Sequence, residues 1–452
     1  MKQSLLLLSL ALALVLALAA RLSAQQNSSV VSTPHALPSG GTTAGPALRA
    51  FRDGELVVSV QALPGMPISY VSDWVTGRLG AMMPVAGDTF QLTFIDNGSR
   101  QPSPEYLWFT TDRTGSSALM IREAGQADRL LPEIPLVTEE VTWRHGDVTL
   151  TGLLVSPKGT SPRPAVVFLH GSGDATRGTF PSYAGLFASR GIASLSYDKR
   201  GTGGSTGNWQ TSTLEELAGD AREGIALLRT RSNIDPARIG TLGTSQGPWL
   251  SALLLAADPT LAFSIATSGG GVSGGDQEIY RRVRLVADSG FPPAEVAGAK
   301  EYITAYFEYL KSGGSDSVRF RPIFQRYANA GWLGLISPVK DPTVGDWPPA
   351  RKVFAKDLAL PLPELYAKIH QPMLALYGND DKAVPTSVAI EHLQRELPGG
   401  TTGQLTTKML TEANHQFLLP ATAGDIPRLH PAYIRTIITW LTQVVDPARP
   451  TR

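Results

Sequence analysis

The chain has 452 residues, a near-balanced 40 Lys and Arg against 39 Asp and Glu, and no cysteine. That length suits two or three domains with a full core. The charge balance, with no long Lys/Arg cluster, argues against nucleic-acid binding. The absence of thiols excludes a disulfide-stapled fold, a thiol nucleophile and a lipid anchor on an N-terminal cysteine.

Residues 1–24 read as a secretory signal peptide: Lys2 gives a positive start, Leu5 to Ala20 is an apolar run, and cleavage is expected after Ala24. The expected location is therefore secreted or periplasmic, with no stable membrane span after cleavage. The rival reading is an uncleaved anchor, since the apolar run is long for a leader. Residues 25–48 are rich in Ser, Thr, Gly and Pro and read as a flexible linker.

Residues 49–136 form short strand-like pieces, Leu56 to Val60, Phe90 to Ile95, Tyr106 to Thr110 and Ala118 to Ile121, separated by turn signals such as Asp53-Gly54 and Asp96-Asn-Gly98. A small all-β domain is expected there. Its Trp74, Tyr106, Trp108 and Phe109 are candidates for a ligand platform, although aromatic residues in short strands more often fill a core.

From 137 to 452 strands and helices alternate, which predicts an α/β domain with a mostly parallel sheet flanked by helices. The expected strands are Val148 to Val155, Ala165 to His170, Ile192 to Asp198, Ile239 to Leu242, Phe263 to Thr267, Met373 to Gly378 and Thr406 to Leu410. The expected helices include Leu214 to Arg231, opened by the capping box Thr213 and Glu216, and Pro248 to Ala257. Residues 274–365 interrupt the alternation with helical stretches and a Pro/Trp-rich segment, and read as a cap insertion. Tyr302, Tyr306, Tyr309, Trp332 and Trp347 are candidate pocket walls in it, or else pack the cap to the body.

Three stretches fit Gly-x-Ser-x-Gly, centred on Ser205, Ser245 and Ser273. Chance alone supplies roughly 0.3 matches in a chain of this composition, so context must choose among them. Only Ser245 follows a strand-like run and opens directly into an apolar helical run, the strand–turn–helix setting of a nucleophile elbow. Ser205 and Ser273 lie in Gly-rich runs and read as turn serines, the latter in a flexible exit loop.

A serine needs a base, and the base needs an orienting group. Of seven histidines, His415 lies in a loop after the last strand, at the carboxyl edge where such sheets bind ligands. Asp381, in the turn after Met373 to Gly378, is the expected acid, with Asp380 a solvated neighbour. The backbone N–H groups of Gln246 and Ser172 are the expected oxyanion donors, and His170 is then structural. His145 stands before the first strand of this domain. No metal or phosphate-loop motif is present, the run Gly201 to Gly207 fails the dinucleotide pattern at Thr206, and no cofactor or metal is implied.

With His170-Gly-Ser-Gly173, Ser245, Asp381 and His415 in that order, the chain from about Val141 onward resembles the α/β-hydrolase superfamily. The runs Tyr197-Asp-Lys-Arg-Gly201, Gly243-Thr-Ser-Gln-Gly247, Gly378-Asn-Asp-Asp381 and Ala413-Asn-His415 resemble bacterial secreted carboxylesterases with a β-rich N-terminal domain. The resemblance implies a serine carboxylesterase acting on short-to-medium acyl esters of small molecules. A peptidase, thioesterase or acyltransferase would use the same triad, and a non-catalytic envelope binding module is the alternative of another class. Two residues depart from the family pattern: Thr244 stands where histidine is common, and Pro248 where glycine is usual. Proline is tolerated in a first helical turn.

Overall fold

Residues 47–62, 69–96, 99–337, 341–420 and 428–446 are described by a computed structural model. The expected signal peptide, and the expected linker up to residue 46, lie outside the described residues.

Eight strands close on themselves: β1 (Ala47–Asp53), β2 (Leu56–Ala62), β3 (Ser69–Asp73), β4 (Arg78–Ala86), β5 (Thr89–Asp96), β6 (Ser99–Thr111), β7 (Ser117–Arg122) and β8 (Arg129–Ile134). Each pairs antiparallel with the next, and β1 pairs with β8 to complete a barrel. Closure leaves no free strand edge. Phe51, Val58, Val60, Met82, Leu92, Leu107, Leu119 and Leu131 fill the interior. The closing strand starts at Ala47, so it takes in the last two residues expected to be linker.

A single residue, Pro135, separates β8 from β9 (Leu136–His145), which opens the second sheet. The sheet continues with β10 (Val148–Pro157), β11 (Arg163–Leu169), β12 (Ala193–Tyr197), β13 (Ile234–Thr244), β14 (Ser264–Thr267), β15 (Met373–Gly378) and β16 (Leu405–Leu410). Their order in space is β9, β10, β12, β11, β13, β14, β15, β16. β10 runs antiparallel to both neighbours, and β11 to β16 are parallel to one another. His145, expected to precede the first strand, instead ends β9. That strand sits at the sheet edge, where polar residues such as Thr138, Glu139 and Glu140 are exposed and hide its pattern.

Helices cover both faces: α1 (Pro181–Ala188), α2 (Leu214–Arg229), α3 (Gly247–Ala257), then α4 (Gly274–Asp288), α5 (Pro293–Lys311), α6 (Ser317–Tyr327), α7 (Leu333–Ile336), α8 (Pro349–Asp357) and α9 (Leu362–Tyr366), followed by α10 (Thr386–Glu396) and α11 (Pro431–Val445). Thr213 and Glu216 form both halves of the capping box at α2. Among the described residues no helix is long and apolar enough to cross a membrane.

Helices α4 to α9 are inserted between β14 and β15; α4 to α8 build a hydrophobic cluster of their own, whereas Leu362 and Tyr366 of α9 pack into the core of the body. Tyr302, Tyr306, Tyr309 and Trp332 are buried in that cluster, and Trp347 packs edge-on against Tyr309. These five aromatic residues are therefore core of the insertion, where the sequence also offered them as pocket walls. A run of large apolar side chains has to be buried somewhere, and helices this short bury it among themselves.

The barrel is welded to the body. Leu48, Val57 and Trp74 share a cluster with α1 and α11 residues. Trp74 packs on Tyr183 at 4.8 Å and donates to Ser59 Oγ. Ser59 Oγ in turn donates to the Ser182 carbonyl, and Gln61 donates to that of Gly178. On the other side, Leu429 N–H donates to the Gly77 carbonyl. Of the suggested ligand platform, Trp74 is thus a docking residue. Phe109 packs on Phe51 and Phe90, and Trp108 lies under Arg122.

Candidate active site

β13 ends at Thr244 and α3 begins at Gly247, so the chain reverses within two residues. Ser245 carries the bend at φ 56°, in the left-handed region that L-residues avoid. Crowding explains the flanking glycines. A Cβ on Gly243 would lie 2.4 Å from the Gly247 carbonyl carbon, and one on Gly247 would lie 2.4 Å from the Leu169 oxygen. Pro248 occupies the first turn of α3, and the turn keeps its shape around it. The bend lifts the Ser245 hydroxyl clear of the sheet at its carboxyl edge.

His415 comes to the same edge from the loop after β16. Its Nε2 lies 3.1 Å from Ser245 Oγ, and its Nδ1 lies 2.8 Å from Asp381 Oδ2. An ionised carboxylate only accepts hydrogen bonds, so Nδ1–H donates to Asp381 and Nε2 is left to accept from the serine. The Asp381 carboxylate is fully buried, and its Oδ1 accepts the main-chain N–H groups of Ala383 and Val384. Asp380 is exposed.

The turn after β11 stands against Ser245. A Cβ on Gly171 would fall 3.3 Å from Ser245 Cβ, so the turn packs tightly on the serine. Ser172 follows on the solvent side. Among the described residues, neither the Ser172 nor the Gln246 N–H makes a main-chain hydrogen bond.

His170 is buried and its Nε2 lies 2.5 Å from the Tyr197 carbonyl. Burial pulls its pKa down to about 4, so the ring stays neutral and donates Nε2–H to that carbonyl. The other two pattern serines have separate work. Ser205 Oγ donates to the Asp198 carbonyl and accepts from Thr151 N–H. Ser273 caps α4 by accepting from Asp276 N–H, in place of the flexible exit expected. His145 joins Asp220 and Arg200 behind the sheet.

Sequence reasoning passed over three residues of this site. Ser268 Oγ donates to the His415 carbonyl and fixes the loop that carries it. Gly269 passes so close that a Cβ would lie 2.0 Å from the Ser245 oxygen. Lys199, two residues past the end of β12, reaches the Gly171–Gly173 turn, and its only sequence signal was its place in Tyr197-Asp-Lys-Arg-Gly201. Nothing in a linear pattern marks that lysine as buried.

An eight-stranded sheet with its second strand reversed, a serine on a strained turn after the fifth strand, and an aspartate and a histidine after the seventh and eighth make up the α/β-hydrolase fold. Residues 114–323 match the family model described as X-Pro dipeptidyl-peptidase (S15 family), a stretch that holds Ser172, Ser245 and Gln246 and ends before Asp381 and His415. The esterase EstD of Thermotoga maritima is 32% identical over 152 residues, which are 31% of this chain and 36% of that protein. The quorum-quenching protein AidA of Acinetobacter baumannii is 31% identical over 124 residues, 27% of this chain and 40% of that one. Each match spans well under half of the curated relative's length. The solved structure of 2,6-dihydroxy-pseudo-oxynicotine hydrolase superposes with a TM-score of 0.44 at 17% identity, over 70% of each chain.

Proposed function

We propose that the protein is a serine carboxylesterase acting on short-to-medium acyl esters of small molecules. The observation that carries this reading is the unbroken hydrogen-bonded line from Ser245 through His415 to a buried Asp381. The likeness to EstD supports ester as the bond attacked. Ser245 Oγ attacks the ester carbonyl carbon as its proton passes to His415 Nε2. Asp381 stabilises the imidazolium without taking the proton. The oxygen that becomes negative is met by the N–H groups of Ser172 and Gln246. His415 then returns the proton to the departing alcohol, leaving an acyl-serine. Water, deprotonated by His415, attacks the acyl carbon and releases the carboxylic acid and free Ser245. The helical insertion serves as a cap: Tyr280 of α4 donates to the Asp381 carbonyl, which brings the insertion against the acid loop.

Ser245→Ala is expected to lower kcat for p-nitrophenyl butyrate at least about 10³-fold, with residual rate from the oxyanion donors alone. Undiminished hydrolysis by that variant would remove the proposal. A second reading, release of a dipeptide after proline, is favoured by the family model that residues 114–323 match. Turnover of an X-Pro p-nitroanilide faster than of the ester panel would select it.

A further inference from the structure

We propose that Lys199 is a positioning residue for ester hydrolysis, its ammonium clamping the oxyanion turn Gly171–Gly173 to the side chain of Gln246. The inference rests on the serine-esterase reading and names a part of that site which the triad leaves out.

The two oxyanion donors come from separate segments, Ser172 from the turn after β11 and Gln246 from the head of α3. Preorganised donors are effective only when held where charge will develop. Among the described residues, residues 171–174 make no main-chain to main-chain hydrogen bond. The turn is held through other contacts. Lys199 Nζ donates to the Gly171 carbonyl at 2.9 Å and to that of Gly173 at 3.4 Å, on either side of Ser172. It also donates to Gln246 Oε1 at 2.9 Å. One cation thus touches both segments and, through three oxygens, uses all the donors an ammonium has.

Lys199 is 2% exposed, and its ammonium lies 4.5 Å from the Trp209 ring centre. Trp209 Nε1 donates to Asp174, the residue that follows the turn. Burial pulls the lysine pKa down to about 8, with Asp174 opposing the fall. An enclosed cation costs stability compared with an apolar residue of similar length. Packing alone is a poor reason for lysine at this place, whereas a fixed cation that ties two carbonyls of the turn to the Gln246 side chain requires it.

The test compares Lys199→Met and Gln246→Ala with wild type and Ser245→Ala. It measures kcat and KM on p-nitrophenyl butyrate, affinity for an aliphatic trifluoromethyl ketone, and the thermal midpoint. The ketone forms a serine hemiketal whose oxygen occupies the oxyanion site, so it reports the donors directly. Lys199→Met should lose about 10²-fold in kcat, the scale of one lost oxyanion donor. Its KM should stay within about twofold, and its ketone affinity should fall by the same factor as kcat. Gln246→Ala keeps its N–H and should lose about tenfold in both, with the double variant no worse than Lys199→Met alone, as partners in one unit behave. Wild-type kcat and ketone affinity in a folded Lys199→Met, or a lower thermal midpoint as its sole defect, would overturn the proposal. Should Lys199→Met fail to fold, wild-type values in Gln246→Ala would overturn it. Ester hydrolysis that survives Ser245→Ala would instead show that the underlying serine reading is wrong.

Discussion

Ser245 is held in a conformation that costs roughly 1–2 kcal/mol for a residue with a side chain. The contacts that enforce it are local: Ser245 N–H donates to the Thr267 carbonyl, while glycines at 243, 247 and 269 give the bend room. Asp381 illustrates a second economy of single atoms. One carboxylate oxygen fastens the turn through Ala383 and Val384, and the other orients His415. Asp381→Asn preserves the first task and corrupts the second, because an amide N–H facing Nδ1 drives the ring to its Nε2–H tautomer. The serine proton then has no acceptor. Loss of kcat by about 10⁴-fold is expected with little change in thermal midpoint. A decrease under tenfold would remove Asp381 from its proposed role.

Among the elements, the insertion and the body meet at a titrating group. Asp357, the last residue of α8, accepts the Leu214 N–H at the head of α2. Burial pushes its carboxyl up to about 6, and the negative charges of Glu215 and Glu216 add to the rise. Because the folded state binds this proton more tightly than the unfolded chain, the group favours folding most at low pH. That contribution fades as pH climbs from about 4 through about 6 and is flat beyond. Asp357→Asn retains an acceptor oxygen and cannot titrate. The difference in thermal midpoint between pH 4 and pH 7 should therefore shift in favour of pH 7 in the variant, and an unchanged difference would show that Asp357 is not the group responsible. Legibility also divides by element. The buried parallel strands around the elbow were plain in the sequence because runs such as Met373 to Gly378 are apolar throughout and bounded by turns. β9 and half of the barrel strands were not, since edge and barrel strands carry polar residues and prolines such as Pro84 and Pro132. The structure joins Ser245, His415 and Asp381 in one hydrogen-bonded line, and that they belong together was legible from motif and chain order. Lys199 and Ser268 were not, because their roles depend on segments far away in sequence.

For the whole molecule, the question is whether barrel and hydrolase body behave as two objects. Trp74 is buried between them, and truncating a buried tryptophan costs about 3–5 kcal/mol. Calorimetry of wild type should give a single unfolding transition, and Trp74→Ala should move that transition down without splitting it. A separate barrel peak in the wild-type scan would contradict this. Gly77 marks the other contact: at φ 74° a Cβ would sit 2.2 Å from the Leu429 carbonyl oxygen, just before α11. Fitted this closely, the barrel is not a detachable cassette. An exchange between relatives that carried residues 47–134 alone would bring a surface shaped for another α1 and another 428–430 segment. Variation at Gly77, Trp74 or Tyr183 in relatives should therefore arrive with compensating change across the seam.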